Sequence, residues 1–331
     1  MNAADSPIML LTAAGLLVAI AACTPAAPGP DRVFVSDEQA NVVHVLDGAS
    51  GRSEGTLRTG KRPRGLALSG DGRTLYVAAS KADRIELWDA RSLRHLRDIA
   101  SGSDPERLAL SPDGRRIYAA NEDRSAVSFI DLASGAVTRE VKVGPEPEGI
   151  GASPAGDLVV ATSEVANLTH FIDPASGAVL ADRLVDARPR GVLFLKGGAE
   201  VWVSSELGGT ITVFEARSRR AVAKIDLVAA FPDLDQVQAV EMNATRDGRR
   251  VFVALGRGDC VAEVDPARRR VVRSFKTGHR TWGIGLSPDE RRLYAASGLS
   301  GSVTVIDLIE NRVARTIDTG GKPWTAVAAP R

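Results

Sequence analysis

The stretch "PRGLALSGDGRTLYVAAS", Pro63–Ser80, contains two short apolar segments separated by a Gly-Asp-Gly turn. Apolar segments on either side of such a turn predict a β-hairpin. Similar stretches recur along the chain, and the residue at the position of Tyr76 marks each copy. The markers are Phe34, Tyr76, Tyr118, Val160, Trp202, Phe252 and Tyr294. Their spacing is 42 residues, apart from one interval of 50, and seven copies at one period indicate a repeat fold.

Each unit contains four short predicted strands. In the unit of Tyr76 they are Pro63–Ser69, Thr74–Ser80, Arg84–Asp89 and His95–Ala100. Turn signals separate them at intervals of roughly ten residues. Seven such units predict an all-β, seven-bladed β-propeller with four-stranded antiparallel blades.

The third strand of every unit ends on a carboxylate, as in Asp131 and Asp173. The sequence that follows these two residues is a hairpin turn, in which the carboxylate accepts backbone N–H groups. We therefore interpret these residues as turn-stabilising rather than as a catalytic or metal-binding ring.

The last unit is incomplete at the C-terminus, where "KPWTAVAA", Lys322–Ala329, supplies only a first strand. The N-terminal part of the repeat region supplies the other three, Asp31–Asp37, Asn41–Asp47 and Gly55–Gly60. Pairing the two ends removes the unpaired strand edges that an open ring would leave. We expect the last blade to be closed by one C-terminal and three N-terminal strands.

The first thirty residues differ from the repeat region. The uncharged stretch Ile8–Ala22 fits a signal peptide over residues 1–22, and it ends in a lipobox-like "IAAC". Cys23 is then a predicted lipidation site, residues 23–30 form a tether, and residues 31–331 form the propeller. Simple cleavage near Ala22 without a lipid is the alternative. The sequence thus predicts an exported, periplasmic protein that the Cys23 lipid can attach to the membrane.

The bulk composition suggests no nucleic-acid partner, because the formal net charge is +1. Cys260 lies in a predicted strand and is expected to be a buried, inert thiol. The four histidines are scattered around the ring, without the spacing of a metal site, so neither a catalytic metal nor a Ser-His-acid triad is predicted.

The candidate site is one mouth of the central channel, where the innermost strands begin and where propellers usually bind ligands. Charged and aromatic residues flank the position that opens each innermost strand, which is Pro in most blades. The candidate binding residues are Arg62, Arg64, Glu106, Glu148, Arg188, Arg190, His279, Arg280, Trp282, Lys322 and Trp324. Two blades contribute acidic residues here and four contribute basic residues, of which two also contribute tryptophans.

Arginine beside tryptophan suits a planar anion, because the guanidinium binds carboxylates and the indole offers a stacking face. It also suits a protein partner, since both residue types are common in binding hot spots. The remaining interpretation is a solvated rim whose charges pair across adjacent blades. The one long interval adds eight residues within Ile225–Met242, near this mouth, where an apolar loop could cover the channel or contact a partner, or could simply be loop drift.

The repeats resemble the YVTN family of β-propeller proteins. "RLALSPDGRRIYAAN" (Arg107–Asn121), "EGIGASPAGDLVVA" (Glu148–Ala161) and "GIGLSPDERRLYAAS" (Gly283–Ser297) carry the match, and the resemblance covers residues 31–331. Length, blade number and leader are most similar to the propeller proteins associated with PQQ-dependent alcohol oxidation. The resemblance implies a non-catalytic accessory protein whose partner is a quinoprotein dehydrogenase, a cytochrome or a transporter component. The residues do not specify a cofactor, although PQQ, a quinone with several carboxylates, suits an Arg/Trp mouth.

Two enzymatic alternatives remain open. A lactonase-like hydrolase would need a cluster at the channel, for which His279, Arg280 and Glu241 are the nearest candidates. A haem- or quinone-binding propeller resembling the cytochrome d1 domain would need axial histidines, which have no convincing equivalents in the sequence.

Overall fold

A computed structural model describes Met1 and residues 31–331. Apart from Met1, the predicted signal peptide lies outside the described residues. The predicted lipidation site Cys23 and the predicted tether lie outside them as well. No helix among the described residues is long and apolar enough to cross a membrane.

Residues 31–331 form twenty-eight strands and three short 3₁₀ helices. The strands are β1 (Arg32–Asp37), β2 (Val42–Asp47), β3 (Ser53–Arg58), β4 (Pro63–Leu68), β5 (Thr74–Ala79), β6 (Arg84–Asp89), β7 (His95–Ala100), β8 (Pro105–Leu110), β9 (Arg116–Asn121), β10 (Ala126–Asp131), β11 (Val137–Lys142), β12 (Pro147–Ala152), β13 (Val159–Ser163), β14 (Leu168–Ile172), β15 (Val179–Leu184), β16 (Pro189–Leu195), β17 (Glu200–Ser205), β18 (Thr210–Glu215), β19 (Arg220–Asp226), β20 (Met242–Ala244), β21 (Val251–Ala254), β22 (Cys260–Asp265), β23 (Arg270–Lys276), β24 (Thr281–Leu286), β25 (Arg292–Ser297), β26 (Ser302–Asp307), β27 (Arg312–Asp318) and β28 (Pro323–Ala329). The 3₁₀ helices are Ser80–Ala82, Glu122–Arg124 and Lys196–Gly198.

The strands form seven four-stranded antiparallel sheets, which confirms the predicted propeller. Blades 1 to 6 are β4–β7, β8–β11, β12–β15, β16–β19, β20–β23 and β24–β27, in chain order. The innermost strands contact one another in sequence around the ring, from β4 through β8, β12, β16, β20, β24 and β28 back to β4. We call the end at which the innermost strands begin the mouth, and the opposite end the base.

Blade 7 is closed as the sequence predicts, in the order β28-β1-β2-β3. Phe34 pairs with Val327 and Val33 with Ala328 in an antiparallel register. The innermost strand of this blade therefore comes from the C-terminus, and its neighbour comes from the start of the repeat region. This pairing covers the two edges that would otherwise end the ring.

The apolar positions of the repeat form the core between successive blades. Every marker residue is buried, and Phe34, Trp202 and Phe252 have no exposed surface. The carboxylates at the ends of the third strands stabilise turns, as predicted. Asp131 Oδ1, for example, accepts the Ser134 N–H at 2.8 Å and the Ser134 hydroxyl at 2.8 Å.

The eight-residue insertion joins β19 to β20 on the mouth side. Leu227 is buried beneath it, Val228 to Ala230 are exposed, and Phe231 is half-buried. The innermost strand that follows, β20, is only 3 residues long. Ala239, which replaces the usual proline, is fully buried, so part of the inserted chain extends the core and part is exposed at the mouth.

Deleting residues 322–331 removes β28 and should abolish cooperative folding. The deletion uncovers β1 along its length and removes the buried side chains of Trp324 and Ala326. Thermal unfolding followed by circular dichroism checks this. The control deletes Arg331 alone, whose exposed ion pairs with Asp47 and Glu54 should contribute at most about 1 kcal/mol. A cooperative transition of the longer deletion near that of the full chain would contradict the closure.

Candidate functional site

The loops that lead into the innermost strands share one backbone feature at the mouth. The residue before the first position of the innermost strand is in the left-handed region in five blades, and these residues are Arg62, Asp104, Glu146, Arg188 and Arg280, with φ between 51° and 62°. The carbonyl of each accepts the N–H of the residue that follows the second strand of its own blade, as Arg188 does from Glu206 at 2.7 Å. In blades 2, 3 and 4 both of these positions are charged, so this hydrogen bond fixes two charged residues next to each other.

Two arginines are the centres of a buried ion-pair network. Arg64 donates to Glu38 at 2.9 Å and to Glu106 at 2.5 Å. Arg190 lies 2.6 Å from Glu164 and 2.7 Å from Glu206.

Glu148 joins the two centres, at 3.6 Å from Arg64 and 3.0 Å from Arg190. Both Glu148 and Arg190 are almost completely buried. The network therefore runs without interruption through blades 1 to 4, and it lies within the mouth rather than on its rim.

Three further arginines join this network. Arg62 lies 3.2 Å from Asp104 and 3.1 Å from Glu106. Arg188 contacts Glu164 at 2.6 Å. Arg280 donates to Glu206 at 2.8 Å and to Gln238 at 2.7 Å. The acidic and basic blades thus neutralise one another across the mouth.

The two tryptophans lie against the arginines. The Trp282 ring has the guanidinium of Arg280 at 4.0 Å and that of Arg190 at 5.2 Å from its centroid. Trp324 is 1% exposed and has Arg64 at 5.1 Å and Arg107 at 4.7 Å. Because protein cations already cover Trp324, its ring offers no free face for a stacked ligand.

Two of the candidate residues lie outside the network. His279 is exposed, and its Nδ1 lies 2.6 Å from Asp259. Lys322 has an exposed side chain, while its backbone N–H donates to Asp37 at 3.0 Å. These two residues belong to the rim of the mouth.

The network also contains acidic residues that were not among the predicted site residues. Glu38, Glu164 and Glu206 each follow the second strand of their blade, and Glu122 holds the same position in blade 2. They recur at multiples of the same 42-residue period. Aligning this position of the repeat, as well as those beside the proline, would have found them.

A second layer of the channel lies just below the network. Most blades have glycine here, because the innermost strands approach closely: a Cβ at Gly149 would lie 2.0 Å from the carbonyl oxygen of Arg190. Blades 2 and 5 instead carry Arg107 and Glu241, which meet across the channel at 2.6 Å. The cavity beside this ion pair has a volume of about 90 Å³, so this level of the channel has room for only a few water molecules.

Burial and neighbouring charges shift the pKa values of the buried acids in different directions. Burial, reinforced by the charge of Glu148, raises the pKa of Glu106 well above its usual range. Burial also acts on Glu148, but Arg190 and Arg64 outweigh it and lower its pKa. Burial and the charge of Glu148 together raise the pKa of Glu164 to about 7.

Three carboxylates of the network lie close enough together to share a metal ion. Asp104, Glu106 and Glu122 bring oxygen atoms within 4.8 Å of one another. However, Arg62 lies between Asp104 and Glu106, and Lys81 Nζ is 2.6 Å from Asp104. The cations of the protein itself already neutralise this group.

The insertion forms the wall of a separate cavity of about 670 Å³ at the mouth edge of blade 5. Phe231 and Leu234 line it from the insertion, and Cys260 lines it from β22. Burial raises the pKa of the Cys260 thiol to about 12, so this buried residue is a protonated thiol at neutral pH, in agreement with the prediction of an inert cysteine.

The comparisons with known proteins identify a fold and no family. No protein-family model and no curated protein sequence matches the chain. Among solved structures, a chain of Kuenenia stuttgartiensis hydrazine synthase is 21% identical, with a TM-score of 0.73 over 88% of this chain and 98% of that chain. A protein from Lactobacillus plantarum is 16% identical, with a TM-score of 0.77 over 90% and 99%. These likenesses show the propeller fold alone.

A third similar structure bears on the haem-binding alternative. The dihydro-heme d1 dehydrogenase NirN, solved in complex with DHE, is 15% identical, with a TM-score of 0.66 over 92% of this chain and 78% of that chain. At this sequence identity, the shared fold does not indicate that this chain binds the same ligand.

The fold does not bring together the three candidate residues of the hydrolase alternative. His279 pairs with Asp259, Arg280 with Glu206, and Glu241 with Arg107. Within residues 31–331 no hydrogen bond or ion pair joins His279, Arg280 and Glu241 to one another.

One Ser-His-Asp arrangement does occur, although none was predicted. In blade 3, Ser163 Oγ is 2.9 Å from His170 Nε2, and His170 Nδ1 is 2.7 Å from Asp182. Ser163 has no exposed surface, and His170 Nε2 also accepts the Gly144 N–H at 3.2 Å. A substrate could not reach this hydroxyl, so the three residues tie the strands of the blade together.

Glu164→Gln should change the stability of the protein in a pH-dependent way. The folded protein keeps the Glu164 proton up to about pH 7, whereas the unfolded chain releases it near the ordinary value of 4.5. Between these values the folded state binds more protons, so rising pH removes wild-type stability that the neutral variant does not lose. We expect the wild type to lose about 1–3 kcal/mol relative to the variant between pH 5 and pH 8.

Urea unfolding at the two pH values measures this difference. The control is Glu140→Gln, an exposed acid whose pKa the hydrogen bond to Arg124 lowers, and it should show no such change. A difference between wild type and Glu164→Gln that is the same at both pH values would refute the assignment.

Ser163→Ala should lower the free energy of unfolding by about 1–3 kcal/mol, because it removes a buried hydrogen bond. A serine-directed fluorophosphonate should not label the wild-type protein. Urea unfolding and intact-mass spectrometry check the two results. Labelling at Ser163 would show that the hydroxyl is reachable and would revive the hydrolase alternative.

Proposed function

We propose that this chain is an exported, non-catalytic β-propeller binding protein of the YVTN type. Its partner is a component of a periplasmic PQQ-dependent alcohol oxidation system, and the partner docks on the mouth. The repeat motifs that resemble the YVTN family and the predicted leader support the family and the compartment. A group of exposed apolar side chains at the mouth is the observation that carries the docking role.

Three of these side chains, Val165, Leu207 and Val228, lie in mouth-side loops of blades 3 and 4 and in the insertion that follows blade 4, and we call them the mouth platform. They are 61%, 60% and 50% exposed. Val165 and Leu207 occupy the same repeat position in blades 3 and 4, and Val228 belongs to the insertion.

Close contacts join the insertion to the loop that carries Leu207. The Leu207 N–H donates to the Ala187 carbonyl at 3.1 Å, and the Leu227 N–H donates to Gly209 at 3.0 Å. Val228 packs so closely on Gly209 that a Cβ there would lie 2.5 Å from its Cγ2. Exposed apolar residues that are grouped in one region of a surface mark interaction sites.

A protein partner fits the mouth better than a small anion does. Arg64 and Arg190, which a carboxylate would bind, are already held by glutamates. An entering anion would have to displace these carboxylates and leave them buried without a partner, which costs several kcal/mol. PQQ therefore does not fit the mouth as it is folded, and we propose no cofactor there.

Leu207→Asp should abolish capture of the partner while leaving the protein folded. The side chain is exposed, so the charge destabilises the protein little, but in an interface it would be buried without a counter-ion. The experiment is affinity capture from the periplasm of the source bacterium grown on an alcohol, with proteins identified by mass spectrometry.

The control is Leu96→Asp, which alters a side chain 50% exposed on the outer strand β7. We expect the wild type and the control to recover a quinoprotein dehydrogenase, its cytochrome or a transporter component, and Leu207→Asp to recover none. Equal recovery by all three proteins would exclude the mouth platform as the docking site. If the wild type recovers none of these components, the proposed alcohol oxidation system is excluded as the source of the partner.

A further inference from the structure

We propose that the base of the propeller binds the headgroups of anionic phospholipids. The proposal rests on the exported, membrane-attached state that forms part of the proposed function. The surface concerned, called the basic patch here, comprises four base loops of blades 4 and 5: residues 196–200, 215–220, 245–250 and 265–270.

The charge of the base is distributed very unevenly. The basic patch contains ten Lys and Arg residues and four Asp and Glu residues. The six corresponding loops of blades 1 to 3 (69–74, 89–94, 111–116, 131–136, 153–158 and 173–178) contain five basic and six acidic residues. A net charge of +6 is therefore concentrated on two adjacent blades of a protein whose formal charge is +1.

The alternation of the strands places all four loops on one face. They connect β16 to β17 and β18 to β19 in blade 4, and β20 to β21 and β22 to β23 in blade 5. Contacts between the blades make the surface continuous, since Arg269 Nη2 lies 3.1 Å from Glu200.

The acids of the patch are engaged in holding their own loops. Asp247 accepts the Thr245 hydroxyl at 2.6 Å, and Glu215 accepts the Ser218 hydroxyl at 2.5 Å. Asp265 accepts backbone N–H groups in its turn and pairs with Arg268.

Several cations, in contrast, remain free of carboxylates. Arg217, Arg220 and Arg270 are exposed, and among residues 31–331 no carboxylate lies within the 4.0 Å of an ion pair from any of them. These three guanidinium groups are available to phosphate oxygens, which arginine binds with paired N–H donors.

The position of Asp31 favours a membrane as the binding partner of the basic patch. Its carbonyl accepts the Gly48 N–H at 2.7 Å, which places the start of the propeller among the base loops of blade 7. The seven residues between Cys23 and Asp31 span at most about 25 Å when extended, so a lipid on Cys23 would hold the base near the bilayer. Stable attachment commonly combines a lipid chain with a basic surface, and the mouth platform then faces away from the membrane, toward a partner.

Vesicle co-sedimentation with the full chain tests the proposal. The vesicles contain either phosphatidylcholine alone or phosphatidylcholine with 30 mol% phosphatidylglycerol, chosen at roughly the anionic fraction of a biological membrane. The patch variant is Arg217→Gln, Arg220→Gln and Arg270→Gln. The control variant is Arg58→Gln, Lys61→Gln and Lys142→Gln, which removes the same charge from exposed residues at the mouth end.

We expect the wild type and the control variant to prefer the anionic vesicles. The patch variant should bind those vesicles on the order of 100-fold more weakly. Raising NaCl from about 0.1 M to about 0.5 M should weaken the wild-type preference, because salt screens exposed charges. Because the salt series uses the wild-type protein alone, it tests the role of charge without any substitution.

Equal loss in both variants, or no preference of the wild type for anionic vesicles, would overturn the proposal. A patch variant that keeps its vesicle binding but loses its captured partner would instead assign the patch to an acidic protein, and would overturn the proposal too. Partner capture is read out at the mouth and vesicle binding at the base, so failure of one proposal leaves the other measurable.

Discussion

The structure depends on the pairing of β28 with β1. Seven blades of one repeat length form a ring only if the first and last strands meet, and here the C-terminal strand completes the N-terminal blade. Closure removes the edges of the ring. It also distinguishes two faces of the ring: the innermost strands begin at one end, and the repeat region begins at the other. The mouth and the base therefore have different tasks available to them, although they are built from the same repeat.

The mouth shows why residue type alone does not identify a ligand site. Arg64 and Arg190 are suited to anions, but the fold supplies Glu148, Glu106 and Glu206 as their partners. Burying charges is costly, and such a network stabilises the fold less than its geometry suggests. Its clear effect is to close the channel, together with the ion pair between Arg107 and Glu241. The proposed recognition of a partner therefore relies on the exposed residues around the mouth.

The sequence was sufficient for the fold and only partly sufficient for the site. Blade number, strand positions and the closure by Lys322–Ala329 follow from the 42-residue period, because the apolar pattern determines which residues are buried. The pairing of Arg107 with Glu241 could not be predicted, since it joins residues 134 positions apart across the channel. The burial of Trp324 depends likewise on side chains from other blades. The net charge of +1 concealed the basic patch, because the compensating acids lie elsewhere.

The central claim is that a partner docks on the mouth platform of a propeller whose channel is closed. Hydrogen–deuterium exchange of the protein, alone and with the purified quinoprotein dehydrogenase of the same bacterium, tests it most directly. The account predicts that the dehydrogenase protects the loops around Val165 and Leu207 and the insertion at Val228, while exchange of the base loops does not change. Protection confined to the base or to the outer strands, or no protection at all, would contradict the account.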